Sequence, residues 1–242
     1  MANFSNAYAT PADSFSPTSD QRFPLGQRVE TRDGRVFRYA QVGGVASIAG
    51  QLYQGAAPIA NHLATTATAT AVGATSLTFT PAGTGGAANL YGEGYLQVDT
   101  TPGEGYTYSV AGHPAITAST AFTLYLNDPI QVALTTASRL GLIHNPYKNI
   151  ILVPTASTGR VVGVAPAPGT ASYYQFIQTW GPCSTLINGT PAVTAPVVNS
   201  GTTTGAVDVW TAAAQPTTTM VGYMMQVGVS TKYNFVFLTL AP

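Results

Sequence analysis

The sequence predicts an all-β protein built as a sandwich or barrel, and three observations predict it. Apolar residues recur with a period of two in short runs, as in Phe122-Thr-Leu-Tyr-Leu, and nowhere hold a helical period for long. Thr, Tyr and Val, which suit a pleated surface, fill those runs. Finally, 25 Gly and 17 Pro in 242 residues break the chain at the spacing of turns between short strands. The length is enough to bury a substantial core.

The N-terminal 21 residues fit neither period. Pro11, Pro17 and several Ser and Thr separate the aromatics Phe4, Tyr8 and Phe15, so this segment reads as an extended arm with spaced anchors. Residues 22–38 follow, carrying Arg22, Arg28, Arg32, Arg35 and Arg38, five of the nine basic residues, offset by Glu30 and Asp33. Around Asp33-Gly34 the text predicts a hairpin with a two-residue turn, which would set Val29 opposite Arg38, Glu30 opposite Phe37 and Thr31 opposite Val36.

Strands are expected next at 76–80, 94–98, 106–110, 122–126 and 130–134. After residue 150 they are expected at 150–153, 160–165, 173–179, 185–187, 206–210, 219–227 and 233–240, with Asn188-Gly189 as a second tight hairpin. Trp180-Gly-Pro-Cys reads as a turn. The last strand is apolar on both faces: Tyr233, Phe235 and Phe237 on one, Val236, Leu238 and Leu240 on the other. A strand of that kind is covered on both sides, so Tyr233, Phe235 and Phe237 are candidates for a subunit interface.

Charge excludes several functions. Nine Lys and Arg balance nine Asp and Glu, and charged residues make up 7% of the chain, against about a quarter in an ordinary soluble domain. A protein that binds nucleic acid by releasing counterions needs a basic surplus, so no nucleic-acid partner is expected. Residues 39–92 and 161–207 contain no charge at all. Thr, Gly, Pro, Gln and Asn interrupt them too often for a spanning helix, and the strands are too short and irregular for a membrane barrel. No basic-then-apolar leader opens the sequence, which predicts a protein made in a cytoplasm with no membrane partner. Zero net charge also removes the repulsion that keeps monomers apart, and this points to assembly.

Catalytic chemistry finds little material. Cys183 is alone, which precludes an intrachain disulfide, and it reads as a small buried residue rather than a reactive thiol. His62, His113 and His144 lie far apart with no metal-ligand spacing. The carboxylates are thinly scattered, and no Gly-x-Ser-x-Gly elbow or phosphate loop occurs. Gly92-Glu-Gly-Tyr95 and Gly103-Glu-Gly-Tyr106 repeat eleven positions apart. They read as turn entries to strands rather than as a calcium site. The expectation is a non-enzyme without cofactor or metal.

Specific stretches carry a resemblance. Asp20-Gln-Arg-Phe-Pro-Leu-Gly-Gln-Arg-Val-Glu-Thr-Arg-Asp-Gly-Arg-Val-Phe-Arg-Tyr-Ala resembles the start of structural proteins of tailed bacteriophages, aquatic ones in particular. Gly103-Glu-Gly-Tyr-Thr-Tyr with His113-Pro114, Asn127-Asp-Pro and Asn145-Pro-Tyr are similar to the same family, as are Val161-Val-Gly-Val-Ala-Pro, Tyr174-Gln-Phe-Ile-Gln-Thr-Trp-Gly and Leu186-Ile-Asn-Gly-Thr-Pro. The resemblance implies a head decoration, or cement, protein on the outer surface of an HK97-type phage head, present as a homotrimer and bound to the major capsid protein. It further implies a β-barrel or sandwich base of 22–58 and 146–242, an inserted β-rich knob of 59–145, and an arm of 1–21. In that reading Phe4, Tyr8, Phe15, Arg22, Phe23, Arg28, Arg32, Arg35 and Arg38 are the capsid-contact candidates. The alternative is a receptor- or glycan-binding virion protein, a fibre head or tail adhesin.

Overall fold

The computed structural model describes residues 7–8, 15–211 and 218–242. Among them the chain is all-β, with no α-helix and one short 3-10 turn at Ala60–His62. The strands, in order, are β1 (Ala7–Tyr8), β2 (Arg28–Glu30), β3 (Val36–Gln41), β4 (Leu52–Gln54), β5 (Thr65–Thr66), β6 (Ser76–Phe79), β7 (Tyr95–Thr100), β8 (Thr107–Gly112) and β9 (Phe122–Leu126). They continue with β10 (Arg139–Ile143), β11 (Ile151–Leu152), β12 (Val161–Val164), β13 (Tyr174–Leu186), β14 (Pro196–Asn199), β15 (Val207–Val209), β16 (Met220–Met224) and β17 (Tyr233–Thr239). Two compact units result, one of Met1–Ala56 with Pro146–Pro242 and one of Ala57–Asn145.

In the first unit one curled sheet runs β1-β2-β3-β13-β17-β16-β14-β15, with β4, β11 and β12 pairing off this path. Its spine is β13. Residues 174–180 pair antiparallel with β3, and residues 180–186 pair antiparallel with β17. Trp180-Gly-Pro-Cys is therefore strand and not a turn. Leu240 donates its N–H to the Thr179 carbonyl, and the ladder's alternation from there turns residue 182 away from β17. β3 has ended at the pair Val36–Trp180, so the N–H that proline lacks has no strand waiting for it. The carbonyls on that side are capped by the buried Gln178 amide, which donates to the oxygens of Trp180 (3.1 Å) and Pro182 (2.8 Å).

The β2–β3 hairpin forms with a register one residue from the expected one. Arg28 faces Arg38, Val29 faces Phe37 and Glu30 faces Val36. The loop is three residues, not two: Gly34 N–H donates to the Thr31 carbonyl and Thr31 N–H to the Arg35 carbonyl. Only Gly34, at φ +81°, takes the left-handed region, as in a type I turn closed by a bulge. The shift has a packing reason. It brings Val29 and Phe37, both buried, together on the core side, whereas the two-residue turn would have placed Arg38 opposite Val29.

Asn188-Gly189 likewise does not join adjacent strands. Gly189 has positive φ, but the chain leaves the β13 edge there. The Asn188 side chain binds the Asp208 carboxylate at 2.6 Å and the hydroxyls of Thr202 and Thr203 at 3.0 Å, so it ties its own loop to the 202–203 loop and to β15. Two apolar clusters fill the unit, one around Phe37, Tyr53, Phe176 and Ile177, the other around Leu52, Cys183, Val197, Val221, Val236 and Leu238.

The second unit is a curled sheet in the order β5-β10-β7-β8-β9-β6. β6, β7, β8 and β9 alternate: Leu77, Phe79, Leu96, Val98, Tyr108, Val110, Leu124 and Leu126 point inward, while Tyr95, Thr107, Thr123 and Tyr125 are exposed between them. The run 130–134 is not a strand. Ile130 and Leu134 are buried from a loop that donates to the carbonyls of Ala74 and Thr70. Burial without a ladder accounts for the misleading apolar signal. Conversely β10, with Gly141 at its centre, and β14, which opens on Pro196, are strands whose residues advertise turns.

Gly34 tests the hairpin directly. Nothing lies within 4 Å of a methyl group added there, so Gly34→Ala isolates the backbone cost of positive φ, about 1–2 kcal/mol. Chemical denaturation should show that loss, with Gly34→Asn losing less, because asparagine tolerates this region.

Candidate functional site

An exposed apolar surface lies on the first unit. Along β17, Val236 and Leu238 are buried, whereas Tyr233 and Phe235 are 46% and 50% exposed on the opposite side. The register sets Tyr223 of β16 opposite Phe237, and Met225 donates its N–H to the Phe235 carbonyl. Directly opposed residues share a face, so Tyr223, Met225, Tyr233, Phe235 and Phe237 form one aromatic and thioether surface. Tyr223 and Met225 are 48% and 47% exposed. On the other flank Pro182 and Ser184 of β13 face Phe237 and Phe235.

On that flank the surface opens into a groove of about 700 Å³, lined by Ile48, Ala49, Ala165, Pro166, Pro168 and Pro182, by Tyr233 and Phe235, and by Phe15 and Arg35. Its walls are fixed. Gly50 donates to the Ala165 carbonyl, Leu186 to the Gly50 carbonyl and Ser47 to the Gly169 carbonyl. The Tyr53 hydroxyl accepts the Ile48 N–H at 2.8 Å, and burial pushes its pKa up, so it stays neutral. Gly50, at φ +72°, lets the Tyr233 ring approach the loop closely, since a Cβ there would stand 2.6 Å from the ring.

The capsid-contact candidates fall in several places. Phe4 lies outside the described residues, and Tyr8 is described by its backbone, which lies in β1 parallel to β2. Phe15, 46% exposed, sits in the groove. Phe23 packs on its own chain, edge-on to Tyr39 at 5.3 Å and against Phe176 at 5.7 Å. Arg28 pairs with Glu30 (3.0 Å) and Arg35 with Asp33 (2.8 Å). The Thr31 hydroxyl first, then the Arg35 N–H and guanidinium, hold the Asp33 carboxyl below the usual carboxylate range. Arg38 turns inward to the carbonyls of Gly26 and Pro242. Arg22 and Arg32 are exposed and in no ion pair among the described residues.

The second unit holds a feature that sequence spacing hid. All three histidines converge on Tyr91, with ring centroids 5.5, 5.7 and 4.7 Å away for His62, His113 and His144. Tyr91 and His62 are fully buried, His113 and His144 nearly so. His113 Nε2 accepts the Tyr91 N–H at 3.0 Å, and its Nδ1 faces the Pro114 carbonyl. An N–H can only donate and a carbonyl only accept, so His113 is a neutral ring protonated at Nδ1. His62 Nε2 donates to the Thr84 carbonyl at 2.8 Å, and its Nδ1 meets the Tyr91 hydroxyl. Burial pushes that phenol's pKa up, keeping the proton on oxygen. The cluster binds the loops at 60–62, 84, 89–91 and 113–114 into one polar knot, and no group of three or more metal-ligating side chains suited to a metal occurs among the described residues.

The repeated Gly-Glu-Gly-Tyr text lies at the entries to β7 and β8, with positive φ at Glu93, Gly103 and Gly105. Glu104 and Asp99 share a shallow pocket of about 300 Å³ with Gln97, Tyr106 and Thr107.

Two substitution-level outcomes follow. Burial pushes the Cys183 thiol up to about 12, so at pH 8 it is protonated; a thiol reagent such as DTNB should label the native protein at a negligible rate and react only on unfolding. His113→Ala strands the buried Tyr91 N–H and should cost about 1–3 kcal/mol, read as a lowered melting temperature. Comparison with family models, with curated proteins and with solved structures returns no match.

Proposed function

We propose that this protein is a virion assembly protein that decorates the outside of a tailed-phage head and bridges neighbouring capsomers. The observation that carries the reading is the face of Tyr223, Met225, Tyr233 and Phe235, about half exposed on a chain with almost no charge to keep it solvated. A large apolar patch on a protein surface is ordinarily a contact surface. The sequence resemblance supplies the particle. In this role the first unit packs against copies of itself and against the major capsid protein, and adds buried apolar area, about 25 cal/mol per Å², to a shell under pressure from packed DNA.

The unpaired arginines give the shell contact its charge. Co-sedimentation with purified empty heads should show saturable binding that weakens with salt. Arg22→Gln with Arg32→Gln should lower that affinity about tenfold while leaving the melting temperature unchanged. Unchanged binding by the double variant, or no binding by the wild-type protein, overturns the reading.

A second reading, a glycan-binding virion protein, is favoured by the second unit. Tyr95, Tyr106 and Tyr125 are 42%, 42% and 53% exposed there, and Tyr95 and Gln97 face Ser109 and Thr107 across β7 and β8. Copy number separates the two. Hundreds of copies per particle, in proportion to the major capsid protein, fit decoration; a handful at the tail fits adhesion.

A further inference from the structure

The same face of the first unit has two unlike halves. On the β16 side stands a ridge, Tyr223 and Met225, beside Phe235 and Phe237. On the β13 side lies the groove between Pro182, the Ile48–Gly50 loop and the prolines at 166 and 168. Tyr233 and Phe235 border both. We propose that the occupant of the groove is the ridge of a second copy of this chain. The inference deepens the assembly reading and rests on it.

Three observations select a second copy. First, fit: exposed apolar side chains and an apolar groove occur on one surface, so two copies supply both partners. The groove's walls are pinned by backbone hydrogen bonds and need not rearrange to receive a side chain. Second, area: Tyr223, Tyr233 and Phe235 each leave about half a ring side chain in water, roughly 300 Å² together. Met225 and Ile48, 47% and 46% exposed, and the groove walls enlarge it, toward the roughly 800 Å² per partner of a standard interface. Third, charge: the groove is lined by Arg35 and by no acid, the ridge has none, and the chain's net charge is zero. No pair of like charges is therefore brought into the contact itself, although the first unit as a whole carries a positive excess. Because ridge and groove are different residues of one face, the contact pairs reciprocally about a two-fold axis, or runs head-to-tail and closes into a ring when the rotation allows.

The test uses full-length protein without capsid, so its failure leaves the head-binding assay untouched. Light scattering on a sizing column at about 50 μM should give an oligomer for the wild type. Tyr223→Ser with Met225→Ser should give a monomer that still unfolds cooperatively, with a melting temperature that no longer depends on protein concentration. Single-cysteine variants then fix the contact, with native Cys183 replaced by Ser in each. Mixing Tyr223→Cys with Ile48→Cys under mild oxidation should yield a covalent pair that neither variant forms alone. Disulfide pairs within Tyr223→Cys alone would mean ridge against ridge and would overturn the proposal. So would a monomeric wild type, or cross-links that appear only once empty heads are added, since the face would then belong to the shell.

Discussion

Hydrogen bonding along β13 is the constraint on which the first unit depends. Thirteen residues must find partners on both sides, and no single neighbour is long enough. On one flank β12 pairs at Gln178 and β17 takes over from Trp180; on the other β3 ends at Trp180, and Gln178 donates to the two carbonyls left bare there. An unpaired buried carbonyl costs about 1–3 kcal/mol, so the glutamine is a structural element as much as either strand. The end of β3 also explains the surface. Past residue 180 the flank of β13 that β3 would have covered stays open, and the groove lies beside it.

Legibility in the sequence followed period rather than residue type. The all-β class, the alternating strands of the second unit and the two apolar faces of β17 were readable because side chains in a strand obey a period of two whatever surrounds them. The errors all came from local text that long-range pairing overruled. Pro182 reads as a breaker, yet it sits in a strand where no donor is wanted. Ile130 and Leu134 read as a strand, yet they plug a core from a loop. Asp33-Gly34 reads as a two-residue turn, yet burying Val29 with Phe37 selects a loop one residue longer.

The sites were legible to a different degree. Tyr233 and Phe235 could be named from alternation alone, because a second apolar face has to go somewhere. Their neighbours Tyr223 and Met225 could not, since which strand lies beside β17 is a matter of topology. The histidine cluster was invisible for the same reason. Its three histidines are 51 and 31 residues apart in sequence, and only the closure of a sheet brings them to one tyrosine. The arginines show the opposite fault. A run of five looked like one basic patch, but a carboxylate two residues away neutralises each of Arg28 and Arg35, and Arg38 serves the fold.

Charge poverty takes on a different meaning once it is divided between the units. Ala57–Asn145 holds Arg139 against Glu93, Asp99, Glu104 and Asp128, while the other unit holds eight basic residues against five acidic ones. A formal charge of zero is thus a negative unit of −3 joined to a positive one of +3. Such a chain has no net field to hold copies apart at long range, and unlike units of two copies attract within about a Debye length, ~8–10 Å at physiological salt. That attraction is weak and non-directional. It favours encounter over a fixed pose, and the pose must come from shape. The aromatic ridge and the pinned groove of the first unit have the apolar area and the rigidity to set one.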